Sequence, residues 1–176
     1  DAAQFPSAAL GDPLDGWPGE WWLDVRHTGL QAVMEGRLDL AVTKQCDAVD
    51  PDNVDGYAND TGFPLTYQDQ LDYLTWLAAQ AHGRGLAVGL KNDLDQIGDL
   101  EPLFDFAVNE ECLAWSECGM LHPFLTSGKP VFHIEYVDDS TEGSAKQTEV
   151  CGQASIQGFS TLIKTWDLDA WFLTCP

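Results

Sequence analysis

A parallel α/β fold is what this sequence predicts, and three observations predict it. Apolar runs such as 86–90 (LAVGL) and 160–165 (STLIKT) alternate with amphipathic stretches, as in a parallel sheet covered on both faces. The order strand, polar exit, helix, strand recurs along the chain. Acids and amides collect at the C-terminal ends of five of the six expected strands. A doubly wound sheet gathers its ligands at one crevice, whereas a closed barrel gathers residues from many strand ends around one mouth. The even spread of polar exits favours the (β/α)8 TIM barrel, of which this chain supplies about six strand–helix units in a single domain over 1–176.

Residues 1–20, with Pro6, Pro13 and Pro18, read as loop. The run 21–25 (WWLDV) is the first expected strand, with Asp24 at its exit. Thr28 and Gln31 have capping-box spacing, and Leu30, Val33, Met34 and Leu38 follow at helical intervals. Residues 46–50 form the next strand, with 51–65 as its long exit loop. Thr66 and Asp69 open a second helix, whose stripe of Leu71, Leu74, Ala78 and Ala81 runs to His82 before Gly83 and Gly85. Strands are then expected over 86–90, 104–108, 130–136 and 160–165, with a short helix ending near Gly128 and another over 144–156. A closed barrel of about 250 residues needs eight strands, so two units, the N-terminal ones, are expected to lie outside this chain.

The net charge of -21 and pI near 4.1 argue against nucleic acid, which needs Lys and Arg to neutralise phosphates. They suit a cationic partner. No apolar run approaches the ~18 residues of a membrane span, so no membrane partner is expected. The chain opens at Asp1 without a basic, apolar leader, as a mature secreted protein would. Of five cysteines, Cys112 with Cys118 and Cys151 with Cys175 are the expected disulfides of an oxidising compartment. Cys46 is left as a buried free thiol or as a half-cystine whose partner lies outside the chain.

The stretch 46–57 (CDAVDPDNVDGY) gathers Asp50, Asp52, Asn53 and Asp55 in six residues at the end of an expected buried strand. Like charges and burial both penalise such a cluster, which therefore calls for a function. An EF-hand does not supply it: counting from Asp50, Val54 falls at position five, Asp55 at six and Thr61 at twelve. No metal or cofactor is expected. Other exit acids are Asp24, Asp93, Glu110, Glu111 and Glu135. Glycoside hydrolysis needs two carboxylates flanking the bond, one protonated and one ionised. Asp52 and Glu110 lie on different, non-consecutive strands, as facing acids in a barrel mouth would. Strand parity groups Phe106, Val108 and Glu110 on one face and sets Asp105 and Asn109 on the other. Lys91, Asn92 and Asp93 leave the LAVGL strand, the lysine either pairing with acids or bonding substrate. Tyr57 and Tyr136, at strand exits, are candidate groove residues, and His133, mid-strand, reads as structural.

The runs WPGEWWLDVR, CDAVDPDNVDGY, GLAVGLKND, FAVNEEC and KPVFHIEY, in this order, resemble glycoside hydrolase family 114, the endo-α-1,4-polygalactosaminidase-like (β/α)8 barrels. The resemblance implies endo-cleavage of α-1,4-linked galactosamine polymers of microbial exopolysaccharide and biofilm matrix, a cationic substrate. It places the paired acids at Asp52, as nucleophile or charge stabiliser, and Glu110, as general acid/base. It implies that Asn53, Asp55, Tyr57, Lys91, Asn92 and Glu135 line the groove. Asp50 stands where related sequences often carry Glu, and the first two strands of the family have no counterpart here. Asp24, Asp50 and Tyr136 complete the expected substrate-binding set. The competing expectation is a non-catalytic carbohydrate-binding barrel with its acids locked in salt bridges.

Overall fold

The computed structural model describes residues 1–176, which fall into two compact units: Asp1–Gly89 with Pro102–Phe104, and Leu90–Glu101 with Asp105–Pro176. In the first unit Leu10–Pro13 (β1) pairs antiparallel with Trp21–Leu23 (β2). This corrects two expectations, a loop over 1–20 and a parallel barrel strand over 21–25. An apolar run marks a strand but carries no information on its partner or direction, and β1, with Gly11, Asp12 and Pro13, has no apolar pattern to find. Gly11 is required there: the Asp12 N–H donates to the Thr61 carbonyl at 3.0 Å, and a Cβ on Gly11 would meet that oxygen at 2.1 Å.

Helix Gly29–Thr43 (α1) buries Leu30, Val33 and Leu38. The capping box expected at its start does not form. Thr28 is itself helical (φ -58, ψ -25), so its side chain accepts no bond from the first turn. Helix Tyr67–His82 (α2) begins as expected. Thr66 is extended (φ -106, ψ 161), Asp69 N–H donates to Thr66 Oγ1 at 3.2 Å, and Thr66 N–H donates to Asp69 Oδ2 at 2.9 Å. Such a cap is worth about 1 kcal/mol. Leu74, Leu77, Ala78 and Ala81 form its buried stripe. Ala48–Val49 (β3) pairs in parallel with Ala87–Lys91 (β4), Val49 opposite Val88. Lys91, the last residue of β4, belongs to the second unit.

The second unit carries Ile97–Leu100 (α3), Phe106–Glu110 (β5), His122–Thr126 (α4), Val131–Val137 (β6), Gly143–Cys151 (α5), Ser160–Thr165 (β7) and Leu173–Thr174 (β8). β5, β6 and β7 are parallel neighbours in chain order. β8, which no apolar run announces, ends the order antiparallel to β7. β5 starts two residues later than expected, which makes Glu110 the end of the strand rather than part of its exit loop. On β6, Val131, His133, Glu135 and Val137 alternate as the buried face. Both expected disulfides are present, Cys112–Cys118 and Cys151–Cys175. Cys46 is a free thiol and exposed, not buried. No helix is long and apolar enough to cross a membrane.

Candidate active site

In the second unit the parallel register builds the site. Glu110 stands opposite Ile134, and Tyr136 lies two residues further along the same face of β6. That diagonal lets the Tyr136 hydroxyl donate to Glu110 Oε1 at 2.5 Å. Lys91 Nζ reaches the other oxygen, Oε2, at 2.9 Å, from a side chain that is almost fully buried. The carboxylate is thus gripped at both oxygens while remaining about a third exposed (31 %). The parity expected for β5 holds: Ala107 and Asn109 are buried, while Phe106, Val108 and Glu110 share the less buried face.

Asn92 fixes the backbone beneath this acid. Its Oδ1 accepts from the Glu110 N–H at 3.0 Å and from Asn109 Nδ2 at 3.2 Å, and its own N–H donates to the Val108 carbonyl at 2.8 Å. Asn92 and Asp93 are both left-handed (φ 53 and 43), a conformation asparagine and aspartate tolerate better than other non-glycine residues. Asn109 Oδ1 accepts from the Cys112 N–H at 3.1 Å, and the Cys112–Cys118 bridge closes the loop that follows Glu110. Cys112, Cys118 and His133 lie close enough to hold a metal, but both sulfurs are consumed by the disulfide, which leaves no thiolate to ligate one.

Glu135 is not a groove residue. Its carboxylate is fully buried and takes the Leu113 N–H at 3.0 Å, His133 Nε2 at 3.1 Å and an ion pair from Lys146 at 3.2 Å. Burial pushes its pKa up, but the hydrogen bonds from His133, the Leu113 N–H and Lys146 outweigh that and lower it. His133 is structural, as expected, with Nδ1 on Thr161 Oγ1 at 3.1 Å. Glu111, left-handed at φ 61, has its carboxyl pushed above the ordinary value by burial, with the charges of Glu135 and Glu110 adding to it. Sequence reasoning missed Lys146 and Trp166. Trp166 stacks on Tyr136 with ring centroids 4.2 Å apart and planes at 17°. Its position one residue beyond β7 was the available signal, since Asp24, Asp50 and Asn92 also directly follow strands.

In the first unit β3 opens into the acidic stretch. Asp50 and Asp52 are exposed and β3 is half-buried, so the cluster is less costly than its sequence suggests. Asp52 Oδ1 accepts from the N–H of Asn53, itself left-handed at φ 52. Asp55 precedes a turn at Gly56–Ala58, and the Tyr57 ring packs edge-on against Tyr67 at 5.4 Å. A cavity of about 720 Å³ is walled by Asp50, Asp52, Asn53, Gln70 and the apolar Trp21 and Leu38. Ligand cavities of about 300–1,000 Å³ typically combine an apolar wall with a few polar groups in this way. Gln70 is 1 % exposed, and its Nε2 has no hydrogen-bond partner. Asp24 is held by Arg26: Nε donates to Oδ1 at 2.7 Å and Nη2 to Oδ2 at 3.0 Å, which keeps the carboxyl below its ordinary range.

Solved structures supply comparisons. The crystal structure of Aspergillus fumigatus Ega3 in complex with galactosamine is 42% identical, covers 98% of this chain and 71% of its own, and superposes with a TM-score of 0.92. The glycoside hydrolase domain of Pseudomonas aeruginosa PelA is 14% identical with a TM-score of 0.70, covering 98% of this chain and 74% of its own, and speaks for the fold alone. Its E218A variant gives 14% and 0.67, over 95% and 72%. No curated protein matches the chain. The model of glycoside-hydrolase family GH114 matches residues 1–176. The fold is therefore the α/β TIM barrel expected from the strand exits, and the chain belongs to glycoside hydrolase family GH114 and is a glycoside hydrolase.

Proposed function

We propose that this enzyme cleaves α-1,4-linked galactosamine polymers within the chain, with Glu110 as general acid/base and Asp52 as nucleophile or charge stabiliser. The observation that carries the reading is Glu110 itself: the end residue of a parallel strand, accessible, and held at both oxygens by Lys91 and Tyr136. Although ion-paired, this carboxylate stays about a third exposed, so it is oriented rather than locked away, as proton transfer to or from a glycosidic oxygen requires. Asp52 supports its assignment by its exposure and its place in the cavity wall after β3. Deacetylated galactosamine carries an ammonium, which a chain of net charge -21 attracts. Ega3, 42% identical, was solved with galactosamine. An amine without its acetyl group has no carbonyl to assist the reaction, so both carboxylates come from protein.

Asp50, Asn53, Asp55, Tyr57 and Asn92 contribute to the groove in this reading. Glu135, being buried, acts by fixing the loop after Glu110, and Asp24 through its pair with Arg26. Residues 1–176 form one catalytic barrel domain whose remaining strands come from an N-terminal segment outside them. Support comes from the five parallel strands present and from the 71% of the Ega3 chain that is covered. An intact mass of 19.3 kDa for the protein isolated from its source would overturn that part. The two disulfides and the acidic composition support an extracellular site of action.

Reducing-end release from an α-1,4-galactosamine polymer tests the activity. Asp52→Asn and Glu110→Gln are each expected to lower turnover by about 10²–10⁴-fold with the melting transition retained. Undiminished turnover in both variants would sink the assignment.

A further inference from the structure

The register that brings Tyr136 to Glu110 repeats one strand further on. Glu110 pairs with Ile134, and two residues beyond is Tyr136. Tyr136 pairs with Lys164, and two residues beyond is Trp166. Side chains two apart share a face, so Glu110, Tyr136 and Trp166 form a diagonal across β5, β6 and β7 at the strand exits. The contacts follow it: carboxylate to phenol at 2.5 Å, then phenol ring to indole at 4.2 Å and 17°. One face of Trp166 is spent on Tyr136. Even so, the residue is 55 % exposed, which leaves the other indole face open to solvent. A large aromatic surface held flat and exposed is poorly explained by packing, because an indole stabilises a fold by being covered.

We propose that the open face of Trp166 is the platform of a sugar subsite beside Glu110, taking the C–H face of one protonated aminosugar ring of the polymer. This rests on the galactosamine-polymer reading above. The indole supplies apolar contact to the ring and attraction for a nearby ammonium through its π-face. Tyr136 serves as the link: its ring backs the platform while its hydroxyl orients the acid. Occupancy of the platform and the placement of the carboxylate are therefore coupled through one side chain. Tyr136 is a positioning residue in this arrangement, and Trp166 a binding residue.

The test measures binding of an α-1,4-galactosamine tetrasaccharide by calorimetry in the Glu110→Gln background, where no turnover intervenes. Wild-type turnover of the polymer is measured beside it. Trp166→Ala is expected to weaken binding about tenfold, equivalent to about 1.4 kcal/mol, and Trp166→Phe, which keeps a ring against Tyr136, about threefold. In otherwise wild-type enzyme Trp166→Phe is expected to raise KM with kcat within about twofold, the mark of lost binding rather than lost acid placement. Binding of both variants within twofold of the parent, with kcat lowered by Trp166→Ala, would show that the indole only braces Tyr136 and would overturn the proposal. If Trp166→Ala fails to fold, the binding and KM of Trp166→Phe decide by the same criteria. Wild type that leaves the polymer uncleaved removes the functional reading and this subsite with it. Cleavage with unchanged binding removes the subsite alone.

Discussion

Replacing Tyr136 by Phe isolates the contribution of one hydroxyl to the acid. The substitution removes the donor at 2.5 Å from Glu110 Oε1 and leaves the ring, its 4.2 Å stack with Trp166 and the Lys91 ion pair in place. A hydrogen bond to a charged group is worth about 1.5–3 kcal/mol, or about 10–150-fold in rate if all of it is expressed in the transition state. Glu110 is 31 % exposed, so water takes over part of the lost donation, and the lower end applies. We therefore expect kcat to fall about tenfold and KM to stay within about twofold. Initial rates of reducing-end release over a range of polymer concentrations separate the two. A kcat within twofold of wild type would refute the idea that the phenol positions the acid. A loss as deep as that of Glu110→Gln would refute it from the other side, since Tyr136 would then be taking part in the chemistry.

The Glu135 carboxyl has a folded pKa below its ordinary value of 4.5, so its contribution to stability is complete above about pH 4.5 and is lost as pH falls through the lowered value. Glu135→Gln, which leaves His133 and Lys146 facing a neutral amide with Glu111 nearby, is expected to lower the melting temperature most near pH 6 to 7. The gap to wild type should narrow towards pH 3, and a gap independent of pH in thermal melts would refute this. Replacing Cys151 and Cys175 together by Ser, which opens a span of 24 residues, is expected to cost about 3.5 kcal/mol in chemical denaturation with kcat retained. A stability within 1 kcal/mol of wild type would contradict the loop-closure account.

The elements that were legible in the sequence share a local cause. Thr66 and Asp69 could be read as a capping box because extended geometry at Thr66 lets the pattern act. Thr28 and Gln31 have the same spacing, but a helical Thr28 disables it, and nothing local announces that difference. Likewise 160–165 matched β7 residue for residue, whereas 21–25 was a strand with the wrong partner, since direction is decided by distant chain. Glu110 is legible as an acid at a strand exit, but its grip by Lys91 and Tyr136 depends on register between strands some twenty residues apart. Glu135 shares parity with Val131, His133 and Val137, which was readable evidence for burial. Its place near the end of the strand points the other way, towards the groove, and parity is the cue that agrees with its burial.

The short strand β8 has a consequence for how the molecule meets its own kind. A parallel strand such as β7, left open, presents a row of free backbone donors and acceptors that another sheet can extend. β8 lies antiparallel along it at Ile163 and Leu162, and the Cys151–Cys175 bridge fastens the residue after β8 to the end of α5. Two paired residues are too few to template a further strand. That short, covalently held border leaves little open backbone along β7 for another sheet to pair with, and reducing conditions would remove its fastening.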